Sequence, residues 1–376
     1  MIKDSLRSLT SFIQLNLKFI FNFSQKKTLI FNFPREQVAK KDINYIQDLF
    51  KDLEKKYLVV YIHKIKNQNL NLKNKYYMHQ YLLKFIFNVD FFVSNYISDF
   101  FPFKSKKIYI HHCITDSPLT DIKKNNEIAA RFYCYNYILI NSKFVKKYFN
   151  QILSEYCKKF KKKNTYQVID VGYPRIDYLL KKINLKNKNK SIIIAPANFI
   201  AFKNFSLIND LEFIIDNLLK FFSLKVIFRP HPQNRKDILT ENFKFNERFA
   251  FLNKYQNDKR FIFDTSDNYL KNYSESKLMI SDLSGTAFTF AFLTNNPVLF
   301  FSNNEKKFQR LYNTFEHFKL RSKTGIVCNK KKLFLRNMNK LIKNKKNFSS
   351  LIKLEKKRLT QLSNAKKNIK NFFEKI

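Results

Sequence analysis

Four strings in this 376-residue chain set residues able to do chemistry beside its rare prolines and glycines, of which there are 8 and 3. The first is Ile-Tyr-Ile-His-His-Cys-Ile-Thr-Asp-Ser-Pro, residues 108–118. An imidazole closing a strand is a natural base for an acceptor hydroxyl, and Asp116 is placed to orient it. Successive strand side chains point to opposite faces, so one of His111 and His112 faces the ligand side and a two-histidine metal site is disfavoured. The second string is Gly172-Tyr173-Pro174-Arg175-Ile176-Asp177. Arg175 offers a fixed positive charge to a donor phosphate, and Asp177 reads as a helix cap before it reads as a catalytic group. The third is Phe228-Arg229-Pro230-His231-Pro232. Two prolines stiffen the backbone around His231, whose ring can donate to phosphate while Arg229 adds charge. A histidine satisfied by backbone is the competing reading. The fourth is Asp282-Leu283-Ser284-Gly285-Thr286, just before the apolar stretch 287–293. Backbone N–H groups at a helix start, with two hydroxyls and a glycine allowing close approach, make a phosphate cradle. Simple N-capping is the alternative.

Such strings need a frame that brings strand ends together. Continuous apolar runs read as parallel strands buried on both faces. They fall at 57–62, 89–94, 107–111, 137–141 and 167–171, and again at 191–195, 224–228, 260–263, 277–281 and 298–301, with 28–33 as an additional early strand. Helical stretches between them supply the crossovers. The pattern predicts an α/β protein of two Rossmann-like lobes, parallel sheets with helices on both faces. Residues 1–180 form the first lobe, 181–190 a charged linker, 191–340 the second lobe and 341–376 a basic helical tail. In open α/β sheets ligands bind beyond the carboxyl ends of the strands, where most of the rare prolines and glycines fall.

The charge balance is 71 basic against 29 acidic residues, a net of +42. That field favours anionic partners. The basic residues run through the whole chain, and there is no zinc-finger spacing or other nucleic-acid motif, so no specific nucleic-acid partner is expected. The four cysteines form no CxxC pair, and neither a metal nor a cofactor is implied. Apolar residues at helical spacing between Leu6 and Phe23 are interrupted by Asn16 and Lys18. The segment is too polar for a span and lacks a signal-peptide cleavage site. Within residues 1–25 two readings remain: a helix packed on the domain, or one lying in an anionic membrane interface.

Taken together, the strings resemble the CDP-glycerol glycerophosphotransferase family, which includes teichoic-acid polymerases and primases. The resemblance rests on Gly172-Tyr173-Pro174-Arg175-Ile176-Asp177 with Leu179, Ile194-Ala195-Pro196, Arg229-Pro230-His231-Pro232 and Asp282-Leu283-Ser284-Gly285 through Pro297, with His112-Cys113 and Pro118 approximating a further motif. It covers roughly residues 107 to 301. It implies a GT-B fold, attack of an acceptor hydroxyl on the phosphate of a CDP-linked polyol donor, and release of CMP. By the match His112 is the base, while His231 and the loop 284–286 bind donor phosphates with Arg175 and Arg229. Asp116, Asp177 and Asp282 support them, and no metal is required. The acceptor is a surface glycan or lipid-linked chain, and the protein sits in the cytoplasm at the inner membrane face. Cys113 stands in place of a family glycine, Gly285 in place of a second serine, and Thr289 where an aspartate is common. A GT-B glycosyltransferase using a nucleotide sugar, a nucleotide-sugar epimerase and a non-catalytic basic membrane-binding scaffold remain as alternatives.

Overall fold

The computed structural model describes residues 2–22, 25–34, 36–65, 74–114, 124–185, 190–240, 244–266, 268–302, 304–312 and 316–376. These form two compact units. One comprises 1–113, 122–177 and 360–376, and the other 114–121 and 178–359.

The first unit holds a seven-stranded sheet, built from β1 (Lys27–Asn32), β2 (Tyr57–His63), β3 (Lys75–Tyr77), β4 (Phe91–Ser94), β5 (Lys106–Ile110), β6 (Tyr137–Ile140) and β7 (Gln167–Asp170), in the order β3-β2-β1-β4-β5-β6-β7. The second unit holds six strands: β8 (Ser191–Ile194), β9 (Lys225–Phe228), β10 (Phe261–Phe263), β11 (Ser276–Ser281), β12 (Val298–Phe301) and β13 (Gly325–Cys328), ordered β10-β9-β8-β11-β12-β13. All pairings between these named strands are parallel. Strand order reverses between β1 and β4 in one sheet and between β8 and β11 in the other. Those are the points where an open sheet leaves a crevice for ligands.

The central strands are mostly apolar because helices cover both faces. β8 is Ser-Ile-Ile-Ile and is wholly buried. The helices follow their own period. Helix α4 (Lys143–Lys159) starts at Ser142, whose side chain accepts from Val145 N, and buries Val145, Phe149, Ile152, Leu153 and Tyr156. Its last turn carries Lys158 and Lys159, which complement the negative end of the helix dipole. With no Trp and 43 Phe, phenylalanine fills the space. Phe149 packs edge-on against Phe132 with ring centroids 4.7 Å apart, and Phe132 packs likewise on Tyr109 at 4.8 Å.

The apolar runs read from the sequence all appear as strands, and residues 28–33 supply β1, a central strand. Two strands carried no such signal. β3 is a three-residue edge strand, too short for a pattern. β13 is Gly-Ile-Val-Cys beside the basic tail, and Gly325 is its first residue. A methyl group on Gly325 would overlap the Val298 carbonyl of β12, so only glycine permits this approach. Gly172 has φ of 83°, the left-handed turn that carries the chain from β7 into α5 (Pro174–Lys182).

The basic C-terminus is helical, in α12 (Phe334–Lys343), α13 (Lys345–Thr360) and α14 (Ala365–Lys375). Residues 360–376 belong to the first unit. There Phe373 lies edge-on to Phe50, Tyr57 and Phe91, and the Tyr57 hydroxyl donates to its carbonyl at 2.6 Å.

Gly325→Ala is expected to destabilise the second unit by roughly 1–3 kcal/mol, the cost of overpacking. Thermal unfolding of the purified variant reads this out, and an unchanged melting temperature would show that β13 yields freely.

Candidate active site

In the first unit β5 continues into His111, whose N–H donates to the Leu139 carbonyl at 2.8 Å. The strand alternation then separates the two histidines. His111 is buried, edge-on to Phe149. His112 turns the other way and is half-buried. Its ring stacks on Tyr96 with centroids 3.9 Å apart and planes 20° apart. Its Nδ1 lies 3.1 Å from the Tyr109 hydroxyl, and its carbonyl accepts the Tyr173 hydroxyl at 2.8 Å. Tyr96 follows β4, on one side of the switch point. Burial first, and then the Asp42 charge, hold the Tyr96 hydroxyl well above the usual tyrosine range, so it stays neutral. The following carbonyl, of Cys113, accepts the Asn141 amide. Asp116 lies outside the described residues.

Arg175 and Asp177 are in this same unit, and both are buried. Arg175 Nε lies 3.4 Å from Asp42 Oδ1. Asp177 lies in the first turn of α5. Its carboxylate accepts the N–H groups of Ser363 at 2.8 Å and Ala365 at 3.2 Å, at the start of α14. These bonds tie Asp177 to a helix start 188 residues away in sequence.

In the second unit the loops after β8, β9 and β11 are tied together. Asp282 is fully buried, and its carboxylate accepts the N–H groups of Ala197 at 2.8 Å, Leu207 at 2.9 Å and Leu283 at 2.6 Å. Burial raises its pKa, against the pull of these backbone donors and of the Ser206 hydroxyl. Asn234 joins the β9 loop to the β8 loop. Its side chain accepts from Phe199 N at 3.1 Å and donates to Asn198 Oδ1 at 3.1 Å, and Asn198 donates to Gln233 at 2.7 Å.

His231 rides on this frame. Its Nδ1 accepts the Gln233 N–H at 3.3 Å, which places the proton of the neutral ring on Nε2 and makes that nitrogen a donor. Arg229, expected to serve the donor directly, is engaged by Asp264 at 2.5 Å and lies over the Tyr269 ring. Burial works to raise the Asp264 pKa, but hydrogen bonds from Ser266 and the Arg229 charge outweigh it and lower it, so the carboxylate stays charged.

Ser284, Gly285 and Thr286 sit where β11 turns into helix α9 (Thr286–Thr294), at the switch point. Gly285 is the N-cap, with no side-chain capping bond. Its φ of −60° is ordinary helix, so no unusual backbone requires glycine. What glycine provides is room: a Cβ there would meet nothing within 4 Å. The two hydroxyls have protein partners. Thr286 Oγ1 bonds the Tyr273 hydroxyl, and Ser284 Oγ accepts Thr286 N–H at 3.4 Å. At the other end of α9 the buried Lys356 ammonium donates to the Phe292 carbonyl at 2.8 Å, which compensates the negative pole of a helix whose residues from Ala287 on are all buried. Thr289 is among them, its hydroxyl turned back to Gly285 O at 3.5 Å.

The profile of the CDP-Glycerol:Poly(glycerophosphate) glycerophosphotransferase family matches residues 13–371. The chain belongs to that family. The family is one of glycerophosphotransferases that use CDP-glycerol. The fold is similar to that of the wall teichoic acid polymerase TagF, at a TM-score of 0.64 and 16% identity, covering 100% of this chain and 97% of that one. A TagF variant with CDPG aligns at 0.63 and 16%, over 100% and 96%. A co-structure of MnaA from S. aureus with UDP aligns at 0.59 and 12%, over 93% and 98%. These likenesses establish a GT-B type fold for the transferase. A curated sequence, the β′ subunit of an Oedogonium cardiacum DNA-directed RNA polymerase, is 24% identical over 254 residues, 64% of this chain. The chain spans 13% of that protein's length.

Sequence reasoning singled out the histidines and the 284–286 loop but missed Asp42, Tyr96, Tyr173, Asn198, Asn234 and Asp264. Asn198 and Asn234 each follow a strand-ending proline by two residues, in Pro-Ala-Asn and Pro-Gln-Asn, and that was the available signal.

Asp282→Asn sets an amide against three backbone donors that need an acceptor. It is expected to cost roughly 2–3 kcal/mol, read as a lower thermal midpoint. A midpoint equal to wild type would mean the loops are held without this carboxylate.

Proposed function

We propose that the transferase uses His112 as general base on the acceptor hydroxyl, and that His231 with the 284–286 loop holds the diphosphate of CDP-glycerol. The observation that carries this reading is that His231, whose Nε2–H is a donor, follows β9, while the start of α9 follows β11 at the switch point of the second sheet. β9 and β11 flank β8, so their ends lie about 10 Å apart, a span suited to a diphosphate and its attached groups. The α9 N-terminus contributes partial positive charge there, and the gap beside Gly285 admits a phosphate oxygen to the backbone. Arg229, held by Asp264, fixes the β9–β10 edge and adds to the local potential.

For His112 to accept a proton at Nε2, its Nδ1–H donates to the Tyr109 oxygen. The acceptor hydroxyl gives its proton to Nε2 as its oxygen bonds the phosphorus that carries glycerol. The bridging P–O bond to the second phosphate breaks, and CMP leaves with that electron pair. Protein donors around the diphosphate offset the charge that develops. The acceptor is a hydroxyl of a glycan or lipid-linked chain.

Attachment to an anionic membrane at the inner face of the cell is part of this proposal. Helix α1 (Ile2–Ile20) has two apolar faces. Leu15 and Phe19 are buried within the first unit, while Leu6, Leu9, Ile13, Leu17 and Ile20 are each about half or more exposed. Phe85 and Phe87 are also exposed, and Phe87 N–H is bonded to Asn16 of the helix at 3.0 Å. An outward apolar row on a chain of net charge +42 suits an interfacial helix. Among the described residues no helix is long and apolar enough to cross a membrane.

His112→Ala is expected to lower CMP release 10²–10⁴-fold with donor affinity within about twofold of wild type, since a base acts in the transition state. His231→Ala and Gly285→Ala should weaken donor binding, the latter without loss of melting temperature. Donor titration and CMP assays decide this, and a fully active His112→Ala would end the base assignment. Vesicle sedimentation should show binding that rises with anionic lipid and falls with salt, at about 1 kcal/mol per basic residue near the surface. Leu9→Glu with Ile13→Glu should abolish it, and binding indifferent to charge and to these changes would refute the membrane role.

A further inference from the structure

We propose that Asp42, Arg175 and Tyr173 form a buried positioning network for His112, which makes Arg175 a positioning residue and not a donor ligand. The inference rests on the reading of His112 as the base. Asp42 and Arg175 carry opposite charges with side chains only 1% and 8% exposed. Taking such charges out of water costs several kcal/mol per ion, and a buried pair rarely adds stability over an apolar substitute. Here both ends of the pair lead to one residue.

On one side, Asp42 Oδ2 accepts the Asn95 amide at 2.8 Å, and the same amide reaches the Tyr45 hydroxyl at 3.1 Å. Asn95 precedes Tyr96, the ring on which His112 stacks. On the other side, the Arg175 charge lies beside the Tyr173 hydroxyl, which it holds against the upward push of burial, and that hydroxyl donates to the His112 carbonyl at 2.8 Å. The network thus fixes the imidazole from below through Tyr96 and its backbone through Tyr173, while Tyr109 sets the third contact at Nδ1. Three segments remote in sequence converge on it. A base must be held within about 0.5 Å of its working position, and a buried polar network reaching it from several segments serves that end.

The test uses the full chain and CDP-glycerol. Tyr173→Phe keeps the ring and removes the hydroxyl bonded to the His112 carbonyl. It is expected to lower kcat about 10–100-fold with donor KM within about twofold, while circular dichroism and melting show a folded protein. Arg175→Gln should behave alike, and Arg175→Lys should recover part of the loss. In the His112→Ala background Tyr173→Phe should have no further effect on rate, because the two act as one unit. A rise in donor KM at constant kcat in Arg175→Gln would make Arg175 a donor ligand and overturn the proposal. So would wild-type kcat in folded Tyr173→Phe when His112→Ala is inactive, which leaves the base assignment standing. Full activity of His112→Ala would remove both.

Discussion

All thirteen named strands pair in parallel, and the rest of the structure follows from that constraint. Parallel strands need crossovers, so helices cover both faces and strand interiors must be mostly apolar. Few polar side chains lie within the sheets, and most of the polar groups lie in the loops at their ends. At the carboxyl edge the loops on either side of a reversal in strand order part, and a ligand can reach the backbone N–H groups of the next helix. His112, His231 and the 284–286 loop all lie at such edges because no other part of a parallel sheet can display them.

Loops at a sheet edge need fixing, and in this strongly basic chain the scarce carboxylates supply it. Asp282 gathers three backbone donors from loops up to 85 residues apart. Asp264 holds Arg229, Asp42 holds Arg175, and Asp177 holds the start of α14. An ionised carboxylate accepts several hydrogen bonds at once and is the one side chain that can satisfy a cluster of orphan N–H groups. These acids therefore act as struts for loops and helix starts at the ends of the strands. Helix α9 is anchored in the complementary way, by a buried lysine at its carbonyl end.

Glycine is so rare that each instance has its own physical reason. Gly172 supplies a left-handed turn, Gly325 avoids a clash with a neighbouring strand, and Gly285 leaves open space at a helix start. Composition therefore marks two kinds of place, those where the backbone demands glycine and one where a ligand can use its absence of a side chain.

The sequence by itself determined the α/β class, most of the strands and the strings that end them, because continuous apolar runs and strand-end prolines are local signals of burial and turning. It also carried the family, since Arg-Pro-His-Pro and the Asp282 to Thr286 string are contiguous. It separated His111 from His112, because alternation along a strand is a local rule. What it left undecided depends on partners far along the chain. The burial of Arg175 against Asp42, the stacking of His112 on Tyr96 and the reach of Asp177 to Ala365 are contacts that no spacing encodes. The two faces of α1 were equally undecided, for both are apolar. Periodicity reports that a face is apolar, while only the tertiary structure decides which apolar face finds a core and which is left outside.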